Sequence, residues 1–150
     1  MDSQANKLSI IISVLNAGNV LENCIRSILN QNYKNFELII IDGGSVDGTI
    51  NVLEQYSDKI SYWISETDTG IYNAWNKALV KATGEWICFI GSDDVLLPNS
   101  LEKIVAKAKY PAVNFVSSRV MMVGDDGENF GSIGRSWNFQ NLYRGLGIVH

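Results

Sequence analysis

Histidine is nearly missing from this 150-residue chain, whose single copy is the final residue, His150. Without an internal histidine, Ser-His-Asp and Cys-His arrangements lack their base. No Gly-x-Gly-x-x-Gly follows a predicted strand and no Gly-Lys-Ser/Thr loop occurs, so a dinucleotide fingerprint and a P-loop also lack parts. Cysteine is scarce. Cys24 falls on the apolar stripe of a predicted helix and Cys88 inside a predicted strand, positions that suit buried thiols better than a disulfide or a metal pair. No apolar run approaches the roughly 18 residues of a membrane span, and Met1-Asp2-Ser3-Gln4 lacks the basic start of a signal peptide. A cytoplasmic location is the expectation. Positive charge is also short: 12 Lys and Arg stand against 16 Asp and Glu, a net charge of −4. Duplex binding draws on cationic side chains, so this balance speaks against nucleic acid as a partner.

Apolar residues are plentiful, at 46% of the chain. A chain of this size buries about two-thirds of its unfolded surface, enough for a real core. Leu8-Ser9-Ile10-Ile11-Ile12-Ser13-Val14 is a near-continuous β-branched run, the pattern of a parallel strand covered on both faces. After it, Leu21, Cys24, Ile25, Ile28 and Leu29 recur at helical spacing, with Glu22, Asn23, Arg26 and Asn30 opposite. The alternation continues with strand 36–41, helix 48–57, strand 59–65, helix 70–82, strand 85–90 and helix 98–109, the last starting at Pro98. This predicts an α/β fold with a Rossmann-like, doubly wound, mostly parallel sheet. Beyond Pro111 the rhythm changes: Val113–Ser118 and Arg119–Val123, then Gly124-Asp125-Asp126-Gly127, predict an antiparallel hairpin. No repeat, low-complexity tract or linker divides the chain, so residues 1–150 read as a single domain.

Two acidic turns follow predicted strands. Asp42-Gly43-Gly44-Ser45-Val46-Asp47-Gly48-Thr49 follows Phe36–Ile41, and Ser92-Asp93-Asp94 follows Trp86–Ile90. In an open α/β sheet the carboxyl ends of the strands face one crevice where ligands bind. Asp42 can accept a hydrogen bond from a nucleobase imide while the glycines let a flat ring approach; alternatively it caps its own turn. Asp47, just before a helix, reads as a cap for free amides. Asp93 and Asp94 are either a solvated loop before Pro98 or a cation site. A diphosphate would be repelled by them unless Mg²⁺ or Mn²⁺ stood between, with Asp94 as ligand and Asp93 as second ligand or ribose contact. Asn73, Asn76 and Lys77 share a face of the helix that follows Asp68, a polar set suited to a hydroxyl- or phosphate-bearing ligand, while core packing is the plainer reading of Tyr72 and Trp75.

These blocks, taken in order, resemble family 2 of the glycosyltransferases, enzymes with the nucleotide-diphosphosugar transferase (GT-A) fold. The similar stretches are Ser13-Val14-Leu15-Asn16, Ile41–Thr49, Asp68-Thr69-Gly70-Ile71-Tyr72-Asn73-Ala74-Trp75-Asn76-Lys77, and Gly84-Glu85-Trp86 leading to Ser92-Asp93-Asp94. Ser45–Thr49 also resembles a phosphatase signature of the haloacid-dehalogenase type, but Ser45 occupies the nucleophile position.

The family resemblance implies metal-dependent transfer of a sugar, with inversion, from a nucleotide-diphosphosugar donor, a uridine diphosphate sugar above all, to a carbohydrate or glycolipid acceptor in bacterial surface-polysaccharide assembly. The alternative is a nucleotide-sugar-binding module without turnover. It places Ser13, Leu15, Asn16, Asp42, Gly43, Gly44, Asp68, Asn76, Lys77, Ser92 and Asp93 around the nucleotide, and Asp94 with Asp93 on the metal. It also implies a donor-binding portion at about 7–110, an incomplete acceptor-side portion at 111–150, and a location in the cytoplasm or at the inner membrane face. Three positions depart from the family pattern: Leu15 stands for an aromatic residue, Trp75 for an arginine and Ser92 for a carboxylate. Gly147-Ile148-Val149-His150 is similar to the approach to the family's base region, so the general base is expected beyond His150 and the chain is expected to be partial. Asp125, Asp126 and Glu128 are expected in the hairpin turn.

Overall fold

The computed structural model describes residues 6–110, 112–124 and 126–134. It resolves into two compact units, Met1–Val105 and Ala106–His150. The first is an α/β/α sandwich. Strands β1 (Leu8–Val14), β2 (Phe36–Asp42), β3 (Tyr62–Ser65) and β4 (Trp86–Gly91) form an all-parallel sheet in the order β3-β2-β1-β4. Helices α1 (Leu21–Leu29), α2 (Thr49–Gln55), α3 (Ile71–Lys81) and α4 (Ser100–Ala108) connect and cover it.

Strand periodicity decides which helix each residue meets. Leu8, Ile10, Ile12 and Val14 of β1, with Leu38 and Ile40 of β2, pack with Leu21, Cys24, Ile25 and Ile28 of α1, Leu53 of α2 and Leu101 and Val105 of α4. Ile11, Ile39 and Ile41 point the other way, onto Ala74 and Ala78 of α3. Both faces of the central strands are thus dry, as the unbroken apolar runs predict, and each buried Ile contributes roughly 1.5–3 kcal/mol. The two small alanines let α3 lie close to the sheet.

The amino-terminal edge of the sheet is tied by one buried carboxylate. Glu37 accepts from Lys7 Nζ (2.6 Å), Ser9 Oγ (2.5 Å), Thr83 N (2.6 Å) and Thr83 Oγ1 (2.8 Å), joining β1, β2 and the turn into β4. Burial would raise its pKa, but the hydrogen bonds from Lys7, Ser9 and Thr83 outweigh that and hold it at about 2.

Several element boundaries differ from the sequence reading by one to three residues, and two of the differences have a clear cause. Helix α4 begins at Ser100, not Pro98, because Asn99 adopts a left-handed conformation (φ 61°) that no helix continues through. Strand β3 is Tyr62–Ser65, in register with Ile39–Asp42 of β2; Ser61 N still donates to Leu38 O, but Ile60 N is turned back to Tyr56 O at the end of the α2 connection.

Within the second unit, β5 (Val120–Val123) and β6 (Asn129–Ile133) form the expected antiparallel pair, with a bulge between Met122 and Val123. Residues 113–118, predicted as a strand, are irregular; among the described residues no strand pairs with them, and β propensity without a partner makes no strand. No helix among the described residues is long and apolar enough to cross a membrane.

Candidate functional site

Sheet order fixes where the site lies. From β1 the chain steps outward to β2 and β3, then returns to place β4 on the other flank of β1, so the direction of winding switches between β1 and β4. The crevice at the carboxyl ends of strands flanking such a switch is where open α/β sheets bind ligands. In register, Ser13 of β1 lies between Ile41 and Gly91, and Asp42 lies between Val14 and Ser65. Both acidic turns therefore leave the sheet at one edge, as the sequence implied.

Asp42 is fully buried. Its Oδ2 accepts from Gly44 N (3.0 Å), Ser45 N (2.9 Å) and Ser65 Oγ (2.6 Å), and its Oδ1 accepts from Ser45 Oγ. Four donors from its own chain thus balance its desolvation, and the loop after β2 is wound around this one side chain. The adjoining loop after β1 is sewn to it. Asn16, at φ 53°, donates its N–H to Ser45 Oγ (2.7 Å) and accepts Val46 N on Oδ1 (3.0 Å). Asp47 accepts from Gly18 N and Thr49 N, both at 2.9 Å, which is the capping role expected of it. Thr49 Oγ1 also donates to Asp47 Oδ1, and that hydroxyl first, then Gly18 N and Thr49 N, hold its carboxyl below the usual range.

Gly43 is the point of close approach. A Cβ there would lie 3.1 Å from Asp68 Oδ2, and one on Gly44 would lie 3.3 Å from Thr67 Oγ1. Asp68 is turned onto Gly43 while its Oδ1 accepts Gly70 N at 2.8 Å. The loops after β2 and β3 thus meet over two glycines. Leu15 stands beyond them, 60% exposed.

Across β1, the second acidic turn folds back on its strand. Asp94 Oδ2 accepts Gly91 N at 3.1 Å, and Asp94 N donates to Gly91 O at 3.1 Å. A Cβ on Gly91 would lie 2.7 Å from Asp94 Oδ2 and 2.9 Å from Asp93 Oδ1, so both carboxylates crowd the space that glycine leaves. Both side chains are exposed and Ser92 is half-buried. Beneath them Cys24 donates its thiol to Gly91 O at 3.3 Å; burial, then Asp94 and Asp93, push its pKa up to about 12, so it stays neutral. Cys88 is free too, and burial pushes it to about 11.

Among the described residues no three His, Cys, Asp or Glu side chains converge into a ready-made metal cage. The donor set suits a hard oxygen-loving cation held by one or two carboxylates and completed by phosphate oxygens and water, the habit of Mg²⁺.

On α3 the polar triplet is only partly available. Lys77 Nζ pairs with Glu66 Oε1 at 2.9 Å, Asn73 is half-buried and Asn76 is exposed. Tyr72 corrects the core-packing expectation: it is 73% exposed and meets Trp75 edge-on at 5.5 Å, while Trp75 lies on Phe89 at 4.4 Å. Asp126 accepts Glu128 N at 3.0 Å inside the β5–β6 turn, its expected home; Asp125, Pro111 and residues 145–150 lie outside the described residues. Sequence reasoning did not find Ser45 and Ser65 as the partners of Asp42, nor Glu66 as the partner of Lys77. The sheet register brings Ser65 beside Asp42, whereas Ser45 meets it within its own turn and Lys77 reaches Glu66 from α3.

Fold and site together define an α/β protein with two acidic turns at the carboxyl edge of a parallel sheet, on either side of its switch point. The chain belongs to the family described as Glycosyl transferase family 2, which it matches over residues 9–148. It is 39% identical over 95 residues, 61% of this chain and 37% of the relative, to a PGL/p-HBAD biosynthesis glycosyltransferase of Mycobacterium bovis. It is 41% identical over 99 residues, 64% of this chain and 40% of the relative, to an uncharacterised glycosyltransferase of Haemophilus influenzae. The chain thus spans well under half the length of these curated relatives. Its structure is similar to TarS 1-349 of S. aureus in complex with UDP-GlcNAc, with a TM-score of 0.59, 26% identity, and coverage of 67% of this chain and 30% of that one. These likenesses show the family and an α/β fold shared with its structural neighbours.

Proposed function

We propose that this chain forms the donor-binding part of a metal-dependent, inverting glycosyltransferase that takes a uridine diphosphate sugar and serves bacterial surface-polysaccharide assembly. One observation carries the reading: the sheet register delivers the Asp42–Asp68 loops and the Asp93–Asp94 turn to the same edge, on either side of the switch between β1 and β4. The complex of TarS with UDP-GlcNAc supports a uridine diphosphate sugar as donor.

In this reading Ser13, Leu15, Asn16, Asp42, Gly43, Gly44 and Asp68 form the base and ribose side. Asn76, Lys77, Ser92 and Asp93 lie toward the diphosphate, and Asp94, with Asp93, holds Mg²⁺ or Mn²⁺. The bound cation would supply charge neutralisation at the diphosphate leaving group. The acceptor hydroxyl of a carbohydrate or glycolipid attacks the anomeric carbon in line, its oxygen forming the new bond as the nucleoside diphosphate departs. A carboxylate outside the donor loops takes the hydroxyl proton. Lys77 reaches phosphate by giving up Glu66, an ion pair between a half-buried lysine and an exposed carboxylate. With the protein at work in the cytoplasm, the acceptor can be presented at the inner membrane face.

A panel of nucleotide sugars, scored by thermal shift with and without Mn²⁺, tests the donor class. A ligand present at about 100 times its dissociation constant adds roughly 2.7 kcal/mol. Selective stabilisation by uridine diphosphate sugars is the expected result, and equal response to all nucleotides or to none contradicts it. Donor binding without transfer to any acceptor would favour the binding-module alternative.

A further inference from the structure

Gln31 is 2% exposed, yet every hydrogen-bonding position of its amide is used. Its Oε1 accepts the N–H groups of Ser100 (2.9 Å) and Leu101 (3.3 Å), capping α4 from just beyond the end of α1, and its Nε2 donates to the carbonyls of Ser27 and Leu97, both at 3.0 Å. One turn earlier, Ser27 Oγ accepts Leu96 N at 3.0 Å while donating to Cys24 O at 2.7 Å. A further turn back is the Cys24 thiol on Gly91 O. Cys24, Ser27 and Gln31 follow i, i+3, i+7 spacing and so share one side of α1 and its terminal turn.

This polar seam grips the loop between β4 and α4 on both sides of the acidic turn. Gly91 is fixed before Asp93 and Asp94, and Leu96, Leu97, Ser100 and Leu101 are fixed after them. The two carboxylates are exposed, and the side-chain bond that Asp94 makes is to Gly91 N, so their position follows the backbone on either side.

We infer that Ser27 and Gln31 are positioning residues for the Asp93–Asp94 turn, holding its carboxylates where a divalent cation and a donor diphosphate can share them. The inference rests on the proposed reading of that turn as a cation site. Groups that orient metal ligands from behind typically affect metal affinity strongly when removed.

The test measures uridine diphosphate affinity with and without Mn²⁺ in the unmutated protein and in Ser27→Ala, Ser27→Thr, Gln31→Met and Asp94→Ala. Ser27→Ala and Gln31→Met should keep the metal-free affinity but lose about tenfold of the Mn²⁺ enhancement, while Ser27→Thr, which keeps the hydroxyl, retains it. Amide exchange at Leu96 should quicken in Ser27→Ala. If Gln31→Met does not fold, Ser27→Ala and Ser27→Thr carry the test. Full enhancement in Ser27→Ala, alongside its loss in Asp94→Ala, overturns the positioning role and leaves the cation reading standing. No enhancement in the unmutated protein overturns the cation reading, and this inference with it.

Discussion

The Asp68 carboxylate rests on Gly43: its Oδ2 lies 3.1 Å from where a Cβ on that glycine would stand. Since Gly43 directly follows Asp42, this contact closes the loops after β2 and β3 against each other. Gly43→Ala should therefore push Asp68 outward and weaken uridine diphosphate binding several-fold, with little change in the thermal midpoint, because the displaced group is a surface carboxylate rather than the core. Calorimetric titration beside a thermal melt checks this; unchanged affinity would mean that Asp68 takes no part in the pocket.

Asp42→Asn tests two roles of one side chain. In the folded protein Oδ2 alone receives two backbone N–H groups and one hydroxyl. An amide keeps one acceptor oxygen and sets donors against donors at the other, so stability should fall by about 1–3 kcal/mol. The proposed imide contact adds a second effect: the folded variant should also bind uridine nucleotides more weakly than the unmutated protein. Loss of stability with affinity intact would leave Asp42 as the residue that winds the loop and nothing more.

Glu37 predicts a pH signature far from the site. Its carboxyl titrates at about 2 in the folded chain against an ordinary value of 4.5, because Lys7, Ser9 and Thr83 donate to the ionised form. A depressed folded pKa gives stability that is fully present above about pH 4.5 and is lost as pH falls from there toward 2, on the order of 2 kcal/mol for this largely buried group. Urea midpoints measured from pH 6 to pH 2.5 should fall less steeply in Glu37→Gln than in the unmutated protein, and the variant should be less stable at pH 7. Parallel slopes would show that the cluster does not perturb Glu37.

Most of the strand–helix order was legible because burial on both faces writes itself into sequence: Ile10, Ile11 and Ile12 have no polar alternation to blur the reading, and β1 runs from Leu8 to Val14 as predicted. The capping role of Asp47 was legible for the same kind of reason, since its partner Thr49 is two residues away. What escaped was non-local. The first amides of α4, after the left-handed Asn99, are capped by Gln31, about seventy residues earlier in the chain, and no local signal at Pro98 reports that. Core packing is the plainer reading of an aromatic residue on an apolar helix, yet Tyr72 of α3 is largely exposed while Ala74 and Ala78 take the sheet. The 113–118 stretch carries strand-forming residues without a strand to pair with.

The most direct test of the central claim is uridine diphosphate affinity with and without Mn²⁺ in the unmutated protein and in Asp94→Ala. Mn²⁺ should strengthen binding in the unmutated protein, and Asp94→Ala should remove this enhancement while keeping the metal-free affinity and the fold, because Asp94 sits on an exposed turn rather than in the core. Equal affinity with and without Mn²⁺ in the unmutated protein, or an enhancement that survives in Asp94→Ala, would contradict that claim.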